Sequence, residues 1–239
     1  MSKFKIMNAF QIKLLMVLLM LLDHLRYINN FIPSDIASFF TFISRCVAPM
    51  FAYFAVEGIR NTHNLKKYCL RLVIFAGITF AGNKILNAIL ESMLKHEQIL
   101  LFRNNNVIFT LALGVIVIAL IQWGKDKQTI ERISLYALSM LCFIIGFLYG
   151  EWGTVILPFI FIEYFFRDKK VIRFLGYALI EVFAILLPFG EPFYFLVFPF
   201  ILLYNGERGP KTNLSKYFFY IFYPVHLWII AIINFMVIV

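Results

Sequence analysis

Long apolar stretches constrain this chain more than any other feature of its sequence. Of its 239 residues, 62% are hydrophobic and 15% are charged, whereas a soluble domain carries about 45–50% apolar and about 25% charged residues. A water-soluble fold of this size cannot bury so much apolar surface, but a lipid bilayer can. We therefore expect an all-α, polytopic bundle embedded in the lipid of the inner or plasma membrane.

Nine of the stretches are candidates for membrane-spanning helices, because one span takes about 20 residues, with a range near 17–25. They cover residues 8–26, 36–59, 66–90, 106–123, 133–149, 151–166, 171–188, 191–205 and 216–238. The sixth and eighth are short, which is typical of broken or re-entrant segments inside a bundle. Since the apolar stretches continue from one end to the other, we expect residues 1–239 to form a single domain.

The basic residues between the stretches predict the orientation, since cytoplasmic loops are enriched in Lys and Arg. With the N-terminus in the cytoplasm, that face collects five basic clusters: Lys3, Lys5 and Lys13; Arg60, Lys66, Lys67 and Arg71; Lys125, Lys127 and Arg132; Arg167, Lys169, Lys170 and Arg173; Arg208, Lys211 and Lys216. The outer face keeps Arg26, Lys95 and Arg103. This predicts nine spans and an external C-terminus. The net charge of +9 therefore indicates cytoplasmic loops and no nucleic-acid partner.

Four ionisable residues lie inside the predicted spans: Asp23 and His24 in the first, Arg45 in the second and His226 in the ninth. Each such residue costs at least ~2.5–3.5 kcal/mol on insertion scales, so it is a functional candidate by default. With a rise of 1.5 Å per residue, all four lie about 15 Å along their helices. Three helices are thus expected to bring ionisable groups to one level of the bilayer.

Asp23 and Arg45 are the natural ion pair of this set, which leaves His24 and His226 for proton chemistry near neutral pH. The alternatives are structural: a buried Asp–Arg pair can fix helix register, and an intramembrane His can hydrogen-bond a neighbour. Glu57 is either the partner of Arg60 in a helix-end ion pair or an anchor for a cytosolic cofactor. Cys46, Cys69 and Cys142 have no metal-binding spacing, and we predict no metal site.

Several strings resemble the TraX family. They are Leu22-Asp23-His24, Ser44-Arg45-Cys46-Val47-Ala48-Pro49 with Val56-Glu57-Gly58, Asn106-Val107-Ile108-Phe109-Thr110-Leu111, Asn205-Gly206-Glu207-Arg208-Gly209 and Tyr223-Pro224-Val225-His226. The family is similar to the pilin acetylase of conjugative plasmids and to the larger group of transmembrane acyltransferases. The resemblance extends over nearly the whole chain.

The resemblance implies an acetyltransferase that uses acetyl-CoA as acyl donor, with a site built from the polar residues of the early helices and the ninth-helix His. We expect His24 to act as general base, with His226 as the alternative base, and Asp23 to pair with Arg45 in the same site. Arg45, together with His226, is expected to stabilise the developing oxyanion. The cofactor side is assigned to Glu57, Arg60, Arg71, Arg208 and Tyr223. The acceptor is expected to be an amine or hydroxyl of a pilin-like peptide, another peptide N-terminus or a glycan.

Two other classes of function are open at this point. A proton-coupled transporter also places His, Asp and Arg near the middle of the membrane. A non-catalytic membrane assembly or immunity protein would use the polar residues for structure alone.

Overall fold

A computed structural model describes residues 5–93, 105–186 and 194–238 of the chain. Within these ranges every regular element is helical, which confirms the all-α prediction. The α-helices are α1 (Ala9–His24), α2 (Ser34–Ser44), α3 (Val47–Asn61), α4 (Leu65–Met93), α5 (Val107–Gly124), α6 (Thr129–Tyr149), α7 (Gly153–Phe166), α8 (Lys170–Leu186), α9 (Phe198–Leu203) and α10 (Asn213–Ile238). Each predicted stretch overlaps at least one of them.

Two predicted stretches differ in detail from the helices. The second is divided at Arg45 and Cys46 into α2 and α3. Pro49, the third residue of α3, explains the break, because proline has no N–H for the carbonyl of Arg45 and its ring clashes with that carbonyl. The eighth becomes a 3₁₀ turn over Tyr194–Val197 followed by the six-residue α9.

The helices have the length and surface of membrane-spanning segments. In the described ranges, five helical segments are long and apolar enough to cross a bilayer, the first of which is α2 and α3 taken together: Ser34–Asn61, Leu65–Met93, Val107–Gly124, Thr129–Tyr149 and Asn213–Ile238. Large apolar side chains also point outward, such as Leu179 on α8, which is 69% exposed. Such surface requires lipid around it, and the chain is a membrane protein. The count of nine spans and the orientation of the termini stay predictions, and Lys3, Lys95 and Arg103 lie outside the described residues.

The chain divides into two compact units, and the prediction of a single domain stays a prediction. Unit 1 consists of Met1–Val47, Ile78–Asn105 and Leu196–Val239, and unit 2 of Ala48–Gly77 and Asn106–Phe195.

In unit 1, α1 packs on α2 and on α10. Phe10 near the start of α1 and Phe219 in the first part of α10 meet edge to face, with ring centroids 5.6 Å apart. In unit 2, α5 packs on α6 and α7. Ser139 Oγ of α6 donates a hydrogen bond to the Val117 carbonyl of α5 at 3.1 Å.

Candidate functional site

The start of α1 is tied to the segment before α10, and this sets the position of α1 in unit 1. Asn8 and Gln11 form a capping box, in which each side chain accepts a hydrogen bond from the other residue's backbone N–H at 3.0 Å. The N–H of Ala9 donates to the carbonyl of Glu207 at 2.8 Å. These contacts satisfy N–H groups that a helix start otherwise leaves unpaired.

At the other end of α1, the two histidines predicted from the sequence lie in direct contact. Nε2 of His226 is 3.1 Å from Nδ1 of His24. Both side chains are buried, with exposed fractions of 9% for His24 and 4% for His226. We call this pair the histidine dyad.

The backbone of α10 determines how the dyad shares its protons. Nδ1 of His226 lies 2.9 Å from the carbonyl oxygen of Phe222. A carbonyl can only accept, so this nitrogen carries the proton, and in the neutral ring Nε2 of His226 is an acceptor. Nδ1 of His24 is therefore the donor within the dyad, and the lone pair of His24 is on Nε2. This is the protonation state in which His24 can take a proton from another molecule.

Aromatic rings hold both histidines. Tyr27 stacks on His24 with centroids 5.7 Å apart, and Phe222 stacks on His226 at 4.9 Å. Tyr223, which the sequence analysis assigned to the cofactor, meets the His226 ring edge to face at 5.7 Å and is itself buried. In this structure Tyr223 packs against the dyad.

Asp23 belongs to a small polar cluster beside the dyad. Its carboxylate accepts a hydrogen bond from Thr41 Oγ1 at 2.7 Å and forms an ion pair with Arg26 Nε at 3.7 Å. Arg26 also donates to Thr41 at 3.1 Å and to the hydroxyl of Tyr27 at 2.9 Å. These partners were not predicted from the sequence, although Arg26 lies three residues after Asp23, a spacing that brings side chains together on a helix. Arg45 is half-buried at the end of α2, and its pairing with Asp23 stays a prediction.

A second polar cluster lies in unit 2. Glu57 of α3 forms an ion pair with Arg167, whereas Arg60 donates to the backbone carbonyl of Tyr164 at 3.2 Å. Glu163 of α7 is fully buried and accepts a hydrogen bond from the hydroxyl of Tyr177.

Two arginines complete this cluster around Glu163. The carboxylate lies 3.4 Å from Arg173 Nη1 and 3.8 Å from Arg167 Nε. Glu163 was not predicted from the sequence, although a carboxylate inside an apolar stretch is the same signal that identified Asp23. Because every member has an opposite charge or hydroxyl beside it, the cluster can join α3, α7 and α8 without a ligand.

The residues assigned to the cofactor side divide between the two units. Glu57, Arg60 and Arg71 belong to unit 2, while Arg208 and Tyr223 belong to unit 1. Arg71 lies over the ring of Tyr68, with its guanidinium carbon 5.4 Å from the centroid. Arg208 is exposed in the loop before α10. Among the described residues, no group of three or more His, Cys, Asp or Glu is placed to hold a metal ion.

Comparison with known proteins places these features in a family. The family model described as TraX protein matches residues 9–234, a range that includes both histidines of the dyad. A protein named probable fimbrial assembly protein FimC, serogroup H1, from Dichelobacter nodosus is 26% identical over 245 aligned residues, which cover 92% of this chain and 93% of the relative. No solved structure matches the chain. Because the family model covers nearly the whole sequence, the chain belongs to the TraX family.

Proposed function

We propose that this chain is an acetyltransferase of the inner or plasma membrane, which moves an acetyl group from cytosolic acetyl-CoA to an amine or hydroxyl acceptor. The observation that carries the proposal is the histidine dyad, in which the Phe222 carbonyl fixes the ring of His226 and His226 in turn orients His24. A base held in one tautomer by a second group is the arrangement that general-base catalysis uses.

In the proposed reaction, the acceptor nitrogen or oxygen attacks the carbonyl carbon of the thioester. Nε2 of His24 takes the proton that the acceptor loses, and a carbon–nitrogen or carbon–oxygen bond forms. The carbon–sulfur bond then breaks, and the CoA thiolate leaves and receives the proton. Burial of the dyad excludes water, which would otherwise compete as acceptor.

The other residues have supporting roles in this proposal. Both ring nitrogens of His226 are engaged, one by Phe222 and one by His24, so we assign His226 to orienting the base and leave the oxyanion to Arg45. Asp23, which binds Thr41 and Arg26, holds the end of α1 in place. Arg60, Arg71 and Arg208 supply positive charge of the kind that binds the phosphates of CoA.

The chemical class of the acceptor is proposed from the printed name of the Dichelobacter nodosus relative. Since the Dichelobacter nodosus protein is named a probable fimbrial assembly protein, a pilin-like subunit is the first acceptor to test. Another peptide N-terminus and a glycan are the next two.

The proposal is tested with purified protein in lipid vesicles, labelled acetyl-CoA and a bacterial lysate that contains fimbrial subunits. We expect the label to appear on an acceptor with wild-type protein and with His63→Ala, because His63 is exposed in the loop after α3. His24→Ala should transfer label about 10²–10⁴-fold more slowly. Transfer that is equal in wild type and His24→Ala would refute the role of the dyad.

A non-catalytic role in assembly is the second candidate function, and the printed name of the relative favours it. In that case the dyad would only join α1 to α10. Wild-type protein would then transfer no label to any acceptor, while His24→Ala and His226→Ala would lower the melting temperature in detergent.

A further inference from the structure

An open cleft of about 620 Å³ lies in unit 2, where α3, α5 and α7 end. Its lining combines two cations, one amide, two aromatic rings and one apolar side chain: Arg60, Lys125, Gln122, Tyr164, Phe165 and Ile59. Ligand pockets in proteins measure about 300–1,000 Å³. The cleft is thus large enough for a small molecule.

The two cations of the cleft have no carboxylate partner within the described residues. Arg60 uses one guanidinium nitrogen on the carbonyl of Tyr164, at 3.2 Å, and lies over the Tyr164 ring at 5.8 Å. Lys125 is exposed, and the chain's neighbouring Lys127 is the one that pairs with Glu131, at 3.4 Å. The carboxylates of Glu57 and Glu163 are occupied by arginines. The cleft therefore carries positive charge that a bound anion would neutralise.

The polar and aromatic groups of the cleft fit a nucleotide. Gln122 Nε2 donates to the hydroxyl of Tyr164 at 2.5 Å, which fixes the orientation of that ring. Phe165 meets Tyr164 edge to face, with centroids 5.0 Å apart. Aromatic side chains stack on nucleobases, while Arg and Lys bind phosphate through charge-assisted hydrogen bonds.

We propose that this cleft binds the nucleotide portion of the acyl donor, with Arg60 and Lys125 on its phosphates and Tyr164 against its base. The identity of the ligand rests on the proposed acetyltransferase function. The phosphate chemistry itself is shared with the headgroup of an anionic lipid, and the base-stacking ring favours the nucleotide.

The test measures CoA binding without acetyl transfer, using full-length protein in nanodiscs of neutral phosphatidylcholine. The variants are Lys125→Ala and Arg60→Ala, and the matched control is Lys127→Ala, which removes a cation two residues away that does not line the cleft. Lys125→Ala is the decisive variant because its side chain is exposed, and a melting curve checks that each variant folds. The ligands are CoA, dephospho-CoA and pantetheine, which lacks the nucleotide.

We expect Lys125→Ala and Arg60→Ala each to weaken CoA binding by about tenfold, the value of one charge-assisted contact near a surface. Lys127→Ala should bind CoA like wild type. Pantetheine should bind weakly and equally to all four proteins.

Three results would overturn the cleft assignment. The first is a CoA affinity that is unchanged in the folded Lys125→Ala protein. The second is a CoA affinity that falls as much in Lys127→Ala as in Lys125→Ala, which would show that CoA responds to the general charge of the surface. In parallel nanodiscs that contain labelled phosphatidylglycerol, the cleft variants could release the lipid while their CoA affinity stays normal. By contrast, if CoA binding depends on Lys125 but no acceptor ever gains label, the proposed function fails and the cleft stands.

Discussion

Replacing His226 with alanine removes the acceptor that orients the His24 ring and leaves the proposed base in place. In the structure one hydrogen bond joins the two side chains, from Nδ1 of His24 to Nε2 of His226 at 3.1 Å, and their rings are in contact with centroids 5.0 Å apart. The value of that hydrogen bond gives the expected size of the effect on acetyl transfer.

A hydrogen bond between neutral groups contributes about 0.5–1.5 kcal/mol net, and each 1.4 kcal/mol is a factor of about ten. Loss of the bond should thus slow transfer by about 2- to 12-fold. We therefore expect His226→Ala to transfer acetyl about 2- to 12-fold more slowly than wild type.

Two further variants bracket this value. His24→Ala removes the base itself and should cost about 10²–10⁴-fold. His226→Gln keeps an acceptor oxygen in the side chain and should recover part of the rate that His226→Ala loses. The measurement is the initial rate of label transfer from acetyl-CoA in vesicles, with a detergent melting curve for each variant.

The orienting role of His226 is refuted if folded His226→Ala loses as much activity as His24→Ala, since His226 would then contact the reacting groups. It is equally refuted if His24→Ala retains near wild-type rates while His226→Ala does not, since the roles would be reversed.

Three other predictions concern stability and topology. Tyr177→Phe removes a hydrogen bond to the fully buried Glu163 carboxylate and should lower the free energy of unfolding by about 1–3 kcal/mol. In a detergent melting series, no loss would argue against that contact. A double-mutant cycle of Asp23→Asn and Arg26→Met should give a coupling of about 0.2–1 kcal/mol, as is typical of an accessible ion pair, and strictly additive losses would contradict the pair. A reporter fused after Lys127 should read cytoplasmic and one fused at the C-terminus external; a cytoplasmic C-terminus would remove one of the nine predicted spans.

The sequence allowed the helices to be located because lipid demands one simple property, a long apolar stretch, and that property is visible in any linear sequence. The break at Arg45 was not predicted, although Pro49 marks it, because proline within a span does not always interrupt it. Pro224 lies inside an unbroken α10. Local rules cannot separate the two cases, since neighbouring helices decide whether the freed carbonyl finds another partner.

The site was predicted as a set of residues and not as a set of contacts. His24 and His226 were identified because ionisable groups in lipid are costly, but their hydrogen bond depends on how α1 crosses α10, which no residue spacing encodes. The same limit applies to Glu57, whose ion-pair partner Arg167 lies 110 residues away. Pairing by proximity along the chain favours the nearest opposite charge, whereas a helical bundle joins groups that are distant in sequence.

The two histidines of the dyad are separated by 202 residues, and this separation has a consequence for biogenesis. While the ribosome is still producing the middle of the chain, α1 is already available for insertion, and the partner of His24 does not yet exist. The dyad can form only after α10 has entered the membrane and packed on α1. All of unit 2 lies between these two helices in the sequence. An incomplete chain that stops before α10 would therefore lack the complete dyad even if its earlier helices insert normally.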